Sequence, residues 1–150
     1  MSNLDHYFMS LAKAVAKNSE DPSTKVGCVI VTDDYKAVSF GCNNFVSRCD
    51  KSFMTYERPY KYSLVVHAEM NALIAAERSL KNCRVYVTHA TCPNCLRNLL
   101  EAGVQEIVYD KFNTNGNLMT KETIDMVRAL VKSVRVIFRN IDGKDYLNLD

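Results

Sequence analysis

The chain has 150 residues, 47% hydrophobic and 24% charged, the size and balance of one soluble globular domain rather than of a disordered chain, a collagen or a coiled coil. Nineteen basic against seventeen acidic residues leave a formal charge of +2, too little for a dedicated binder of duplex nucleic acid but compatible with a basic pocket for one phosphate. No apolar run approaches the ~18 residues of a membrane span, and the polar start, Met1 to His6, lacks the apolar region of a secretory signal.

Leu4, Phe8, Leu11, Ala12 and Val15 recur at three- and four-residue spacing and predict an amphipathic helix over 4–18, ended by Asp21-Pro22. The β-branched run 26–31 predicts a buried strand, Asp33-Asp34 a turn, and 37–40 the second strand of a hairpin. From 43 to 62 the pattern is irregular, with tyrosines and mixed charges, and reads as a long loop; loops of that length in a compact domain are often functional. A helix follows over 67–79, with Met70, Leu73, Ile74 and Leu80 as its apolar face. Beyond it come a strand at 84–88, a helix from Pro93 to Ala102 that Gly103 terminates, and a strand at 104–109. A helix over 120–131 with Thr120 as N-cap and a strand at 134–138 complete the pattern, and the polar tail after Gly143 is unassigned. Strands alternating with helices in one domain over residues 1–150 imply an α/β layered fold.

Six cysteines are present, but the chain is too long and too regular for a disulfide scaffold and carries no signal peptide. Reduced thiols in a cytoplasmic protein are expected, with Cys28 and Cys42 as small core residues. The chemistry gathers in two pieces, His67-Ala68-Glu69 and Cys92-Pro93-Asn94-Cys95, each opening a helix. With Cys92 as N-cap and Pro93 at the first helical position, Cys95 lies over the same face, and the helix dipole favours thiolate there. The pair alone fits a zinc site, two buried thiols, or a thioredoxin-like redox motif. His67 and Glu69, two apart, do not share a side of a helix and converge only at its open end; alone they read as a solvated histidine beside a surface glutamate. Together the pieces offer one His and two Cys as zinc ligands, leaving a fourth position for water, whose pKa zinc lowers to roughly 7. Glu69, close by and not a ligand, then serves as the proton carrier. His-x-Glu followed by Cys-x-x-Cys is the signature of zinc-dependent nucleobase deaminases, and the 23 positions from Glu69 to Cys92 accommodate a helix and a strand.

On these residues the sequence resembles the cytidine/deoxycytidylate deaminase superfamily, and within it the deoxycytidylate (dCMP) deaminases. The resemblance extends over roughly residues 7–138: Tyr7-Phe8-Met9, the stretch Asp21-Pro22-Ser23-Thr24-Lys25-Val26-Gly27, Gly41-Cys42-Asn43-Asn44, the loop ending Lys61-Tyr62, His67-Ala68-Glu69-Met70-Asn71-Ala72, and Glu101-Ala102-Gly103-Val104. It implies a three-layer α/β/α fold, a central five-stranded mixed sheet flanked by helices, and hydrolysis of dCMP to dUMP with loss of ammonia, supplying dUMP for thymidylate synthesis. It implies a catalytic zinc (Zn2+) on His67, Cys92 and Cys95, and Glu69 as proton shuttle. It further implies Asn43 at the sugar, the backbone of Ala68 along the pyrimidine edge, and Lys111, within Asp110-Lys111-Phe112, at the phosphate. It implies a homo-oligomer, often a hexamer, with dCTP and dTTP as effectors, and neither duplex nucleic acid nor membrane as partner. A deaminase of another base, such as a modified dCMP, free cytosine or tRNA adenosine, and a non-catalytic zinc or nucleotide-binding module are the alternatives.

The chain departs from that family's pattern in three places. Thr91 stands where a proline usually precedes the first cysteine ligand, Cys42 and Asn44 replace a tyrosine and a glycine in the region tied to effector control, and Phe112 lacks a tyrosine's hydroxyl. His89 reads as structural, His6 as a surface residue, and Cys49 has no companion set for a second metal. Tyr56, Arg58, Tyr60, Lys61 and Tyr62 fit a nucleotide cover, a packing cluster or an oligomer contact alike.

Overall fold

Alternation of buried residues along each strand divides the molecule into layers. The computed structural model describes residues 3–112 and 119–149. Strands β1 (Gly27–Val31), β2 (Ala37–Cys42), β5 (Arg84–His89), β6 (Glu106–Lys111) and β7 (Ile137–Asn140) form one five-stranded sheet in the order β2-β1-β5-β6-β7. The first three pair antiparallel, whereas β5, β6 and β7 run parallel, so the sheet is mixed. Helix α1 (Asn3–Ala16) covers one face, packing Phe8, Met9 and Ala12 on Val29, Val31, Tyr86 and Val108. Helices α3 (Ala68–Ala76), α4 (Pro93–Glu101) and α5 (Lys121–Val134) cover the other, over Cys28, Ile30, Val85, Val87 and Ile107. The expected three-layer α/β/α arrangement is therefore present.

The first helix faces the sheet through Phe8, Leu11, Ala12 and Val15 as expected, with Met9 added, but not through Leu4. Leu4 is exposed, and the inward position of the first turn belongs to Asp5. Its carboxylate accepts hydrogen bonds from the Tyr86 hydroxyl (2.9 Å) and from two Arg139 nitrogens (both 3.0 Å), so a buried charge is paired rather than replaced by an apolar contact.

Two boundaries differ from expectation for local reasons. Gly103, at φ +103°, closes α4, and the Val104 N–H then returns to the Leu99 carbonyl, so β6 begins at Glu106. Val134, Val136 and Phe138 alternate like a strand in sequence, but α5 runs through Val134 and a left-handed residue, Arg135, turns the chain, leaving β7 to start at Ile137. The segment expected as a loop holds β3 (Asn44–Phe45) paired with β4 (Val65–Val66), a 3-10 turn at Lys51–Phe53 and the short helix α2 (Tyr60–Leu64). The tail folds back: Tyr146 stacks on Phe112 (4.6 Å), and the buried Leu147 gives its carbonyl to the Arg128 Nε.

Helix α3 is shorter than expected, and its inner face is not the predicted one. Ala68, Glu69 and Ala72 are buried, Met70 and Leu73 only half so, and Ile74 is 68% exposed. The reason lies in the strand beneath. A Cβ on Gly41 would sit 2.5 Å from the Ala72 nitrogen and 2.7 Å from the Ala68 carbonyl oxygen, so the helix backbone lies directly on β2 and only small residues fit between. The Ser39 hydroxyl donates to the Ala72 carbonyl and the Asn71 amide to that of Cys42, both at 2.7 Å. Gly41→Ala is expected to force α3 off the sheet, costing about 2 kcal/mol, or roughly 4–8 °C in Tm for a domain of this size. Calorimetry checks this, and an unchanged Tm would show that the helix does not need this approach.

Candidate metal centre and active-site cavity

The start of β1 and the ends of β2, β5 and β6 all lie at one end of the sheet, where open α/β sheets bind ligands beyond the carboxyl ends of parallel strands. His67 is the N-cap of α3 and Cys92 the N-cap of α4, both in extended backbone, and neither side chain caps its own helix. Both are thereby free to face a common point. His67 Nδ1 lies 3.6 Å from Cys92 Sγ and 3.2 Å from Cys95 Sγ, and one donor atom from each residue falls within 4.8 Å of the other two. Tetrahedral zinc with Zn–N and Zn–S bonds of ordinary length sets its ligands roughly 3.5–3.8 Å apart, so the three donors fit a zinc ion and leave one position open.

The electrostatics suit a cation. A hydrogen bond from Cys95, and then one from His67, lower the pKa of Cys92 against the opposing effect of burial, and the N-terminus of α4 favours the thiolate further. Hydrogen bonding to Cys92 raises the pKa of His67. Glu69, only 5% exposed, is pushed up to about 7 by burial and by the negative charge of Cys92. It is not one of the three clustered donors, and it lines the same cavity as His67 and Cys92. A buried carboxyl poised near neutrality beside a metal position is suited to moving protons.

That cavity, of about 110 Å³, reaches from the metal position past Ala68 and Asn43 to Arg58 and Lys61. A second, more open and polar cavity of about 560 Å³ is lined in part by Lys25, Lys111 and Lys144, and Thr24 and His89 border both. The structure thus brings His67, Ala68, Glu69, Cys92 and Asn43 around one cavity and sets Lys111 in the adjoining one. The Asn43 amide is turned to the protein: its Oδ1 accepts from the Val26 N–H (2.8 Å) and its Nδ2 donates to the Thr24 carbonyl (2.9 Å). In this arrangement Asn43 braces the segment that walls the cavity.

Other expectations change. His89, expected to be structural, borders both cavities, and its pKa is lowered by burial and by Lys111. Cys28 is a core residue as expected, but Cys42 is only half-buried, its thiol near the Asn44 amide (3.4 Å). Tyr56 packs on Phe45, Tyr60 is exposed, and Arg58, Lys61 and Tyr62 wall the cavity.

Asp21 is a cavity residue that motif reading missed. It accepts from the Ser23 and Thr24 backbone N–H groups (2.8 and 3.1 Å) and pairs with Lys61 Nζ (2.8 Å), tying the loop before β1 to α2. The signals in the sequence were its Asp-Pro-Ser-Thr turn chemistry and its place in the stretch Asp21-Pro22-Ser23-Thr24-Lys25-Val26-Gly27 that carries the resemblance.

A family model described as the cytidine and deoxycytidylate deaminase zinc-binding region matches residues 2–111. A deoxycytidylate deaminase of Mus musculus is 31% identical over 147 residues, spanning 92% of this chain and 79% of the mouse protein. An uncharacterised deaminase of Aliivibrio fischeri is 40% identical over 100 residues, 67% of each chain. Among solved structures, the dCMP deaminase of cyanophage S-TIM5 in its apo form superposes with a TM-score of 0.70 at 22% identity, over 94% of this chain and 100% of that one.

Two tests follow from the geometry. One zinc ion per chain is expected by elemental analysis, with loss of stoichiometric zinc in both His67→Ala and Cys95→Ser; full retention in either would remove that residue from the ligand set. Burial alone would raise the pKa of Asp21, but Lys61 and the Ser23 and Thr24 donors outweigh it and lower the pKa in the fold. Its contribution to stability is therefore complete above the unfolded value of about 3.9 and is lost as pH falls through the lower folded value. Asp21→Asn is expected to cost about 3 kcal/mol at pH 7 and progressively less toward pH 2, measured by urea unfolding; a cost independent of pH would exclude the ion pair as its source.

Proposed function

The chain belongs to the cytidine and deoxycytidylate deaminase zinc-binding family, and from that premise we propose that it hydrolyses dCMP to dUMP and ammonia, as one deaminase domain spanning residues 1–150. The observation that carries this reading is the buried carboxylate of Glu69, lining the same cavity as His67 and Cys92 of the three-donor cluster. A purely structural zinc site takes four protein ligands and gains nothing from a buried carboxylate next to the metal. The curated relatives named as deoxycytidylate deaminases support the choice of dCMP as substrate.

In this proposal His67, Cys92 and Cys95 hold the zinc. Zinc bound there supplies a nucleophilic water at neutral pH by lowering its pKa to roughly 7. Glu69 accepts the proton released from that water, delivers a proton to N3 of cytosine as C4 becomes tetrahedral, and assists departure of the C4 amino group as ammonia. The Ala68 backbone lies along the pyrimidine edge. Asn43 and the segment it braces border the sugar, and Lys111 meets the phosphate from the adjoining polar cavity, with Lys25 on the same wall. Such a site takes a free nucleotide without extracting a base from a duplex.

The reading extends to a cytoplasmic homo-oligomer, hexameric by resemblance. The exposed apolar side chains of Phe40 and Ile74 support self-association. Regulation by dCTP and dTTP belongs to the same reading, with Cys42 and Asn44 in place of the family's tyrosine and glycine. Among the described residues, no helix is long and apolar enough to cross a membrane.

The deciding experiment is turnover by the zinc-loaded protein on dCMP, deoxycytidine, CMP and dCTP, followed by loss of cytosine absorbance. Rapid turnover of dCMP alone is expected, falling by more than a thousandfold (about 4 kcal/mol in the barrier) in Glu69→Ala with zinc retained. Full activity in that variant removes Glu69 from the mechanism, and inactivity of the zinc-loaded wild type on all four compounds removes the substrate assignment.

A further inference from the structure

We propose that His89 is a specificity-determining residue, whose Nε2–H donates a hydrogen bond to the 5′-phosphate of the nucleotide where the two cavities meet. His89 ends β5 in register with Lys111 at the end of β6, and it borders both cavities. The residue before it orients the ring: His89 Nδ1 lies 2.9 Å from the Thr88 hydroxyl oxygen. That same oxygen accepts the Gly27 N–H at 3.1 Å, and Thr88 is buried. A hydroxyl carries one proton, and His89 Nδ1 is the acceptor that the described residues offer it. With Nδ1 protonated instead, two N–H groups would point at one oxygen and its buried hydroxyl proton would have no acceptor, a costly arrangement. The proton of the neutral ring therefore sits on Nε2.

Among the described residues Nε2 meets no hydrogen-bond partner, and it is not one of the buried atoms left without one, so it opens toward the cavities that His89 borders. Burial, and then Lys111, lower the pKa of His89 against the opposing charge of Asp110, so the ring is neutral at pH 7. What faces the cavities is thus a neutral donor of fixed direction. Its surroundings select the acceptor. The polar cavity sets Lys25, Lys111 and Lys144 against Asp110 and Asp142, and Lys13 already pairs with Asp110 at 3.2 Å. The remaining excess of positive charge suits an anion. Lysines on flexible stems supply charge with little direction. A ring held at a strand end supplies direction, and a hydrogen bond to an ionised acceptor is a strong one. With the base at the metal position and the phosphate among the lysines, the phosphate end of the nucleotide comes beside His89 and Lys111.

The inference takes its nucleotide from the proposed deaminase reaction, and its test is read without turnover. Binding of dUMP and of deoxyuridine to zinc-loaded protein is measured by calorimetry. Loss of one hydrogen bond to a charged group in His89→Ala is expected to weaken dUMP about tenfold and to leave deoxyuridine within about twofold of wild type. His89→Gln, whose amide N–H stands in for Nε2–H, is expected to recover dUMP affinity to within about threefold of wild type. Nitrogen-15 NMR of the wild type, which needs no variant to fold, is expected to place the His89 proton on Nε2. The proposal is overturned if the wild type does not bind dUMP, if His89→Ala leaves dUMP affinity unchanged or weakens dUMP and deoxyuridine equally, if His89→Gln restores nothing, or if the proton sits on Nδ1. A wild type that binds dUMP as expected but leaves dCMP unconverted counts against the deaminase reading alone.

Discussion

The close approach of α3 to the sheet at Gly41 governs the site. A helix separated from β2 by ordinary side chains would stand further out and carry His67 and Glu69 with it. Instead, the missing Cβ at Gly41 and the small side chains of Ala68 and Ala72 let the helix backbone rest on the strand. Side chains from β2 and α3 then tether the two elements through each other's backbone carbonyls. The first turn of α3 therefore lies deep enough that Glu69 is buried at the sheet end while His67, one position before the helix, still reaches outward to Cys92 and Cys95.

Convergence of two helix N-termini then determines the chemistry. Each terminus carries partial positive charge and unpaired N–H groups, and between them lie Cys92, whose thiolate form is favoured, and a buried carboxyl. Burial raises Glu69 and Cys28, and hydrogen bonding to Cys92 followed by burial raises Cys95; charge repulsion adds to each, from Cys92 on Glu69 and from Glu69 on Cys95 and Cys28. Helix dipoles offset part of this, but a divalent cation is the charge that offsets the rest, and zinc suits a donor set of one imidazole and two thiolates. A metal bound to the cluster would offset this repulsion, the sense in which metal binding couples to folding.

What the sequence disclosed divides along the same physical line. His67, Cys92 and Cys95 were legible as a group that could hold a metal because N-cap position and spacing within one helical turn bring their donor atoms together. The layer architecture was legible because β-branched apolar runs alternate along the chain with helical periodicity. Ile74 was misread because helical periodicity does not reveal that a glycine in a distant strand has excluded large side chains from the inner face. The end of α5 was misread because one left-handed residue, Arg135, interrupts an alternation that otherwise looks like a strand. Asn43 lines the cavity, but its amide engages the backbone of Val26 and Thr24, a consequence of long-range register. The positions of His89 and Lys111 follow from the parallel pairing of β5 with β6, which sets them opposite each other.

That pairing bears on selectivity. His89 ends β5 opposite Lys111 at the end of β6, and the two cavities meet at His89 and at Thr24 in the segment before β1, so strand register sets one side of the boundary. Under the proposed reaction the small cavity at the metal judges the base, and the polar cavity judges what is attached to the sugar. The first can reject a larger base only by steric exclusion. In that proposal the second would discriminate by charge, through Lys25, Lys111 and Lys144 set among Asp110 and Asp142, beside a histidine whose neutral form is favoured by burial and by Lys111. A neutral His89 adds a hydrogen-bonding group to the dividing wall without adding another buried charge. The lysines remain where water can solvate them until an anionic ligand arrives, so the protein does not bear the cost of burying unpaired cations in its empty state.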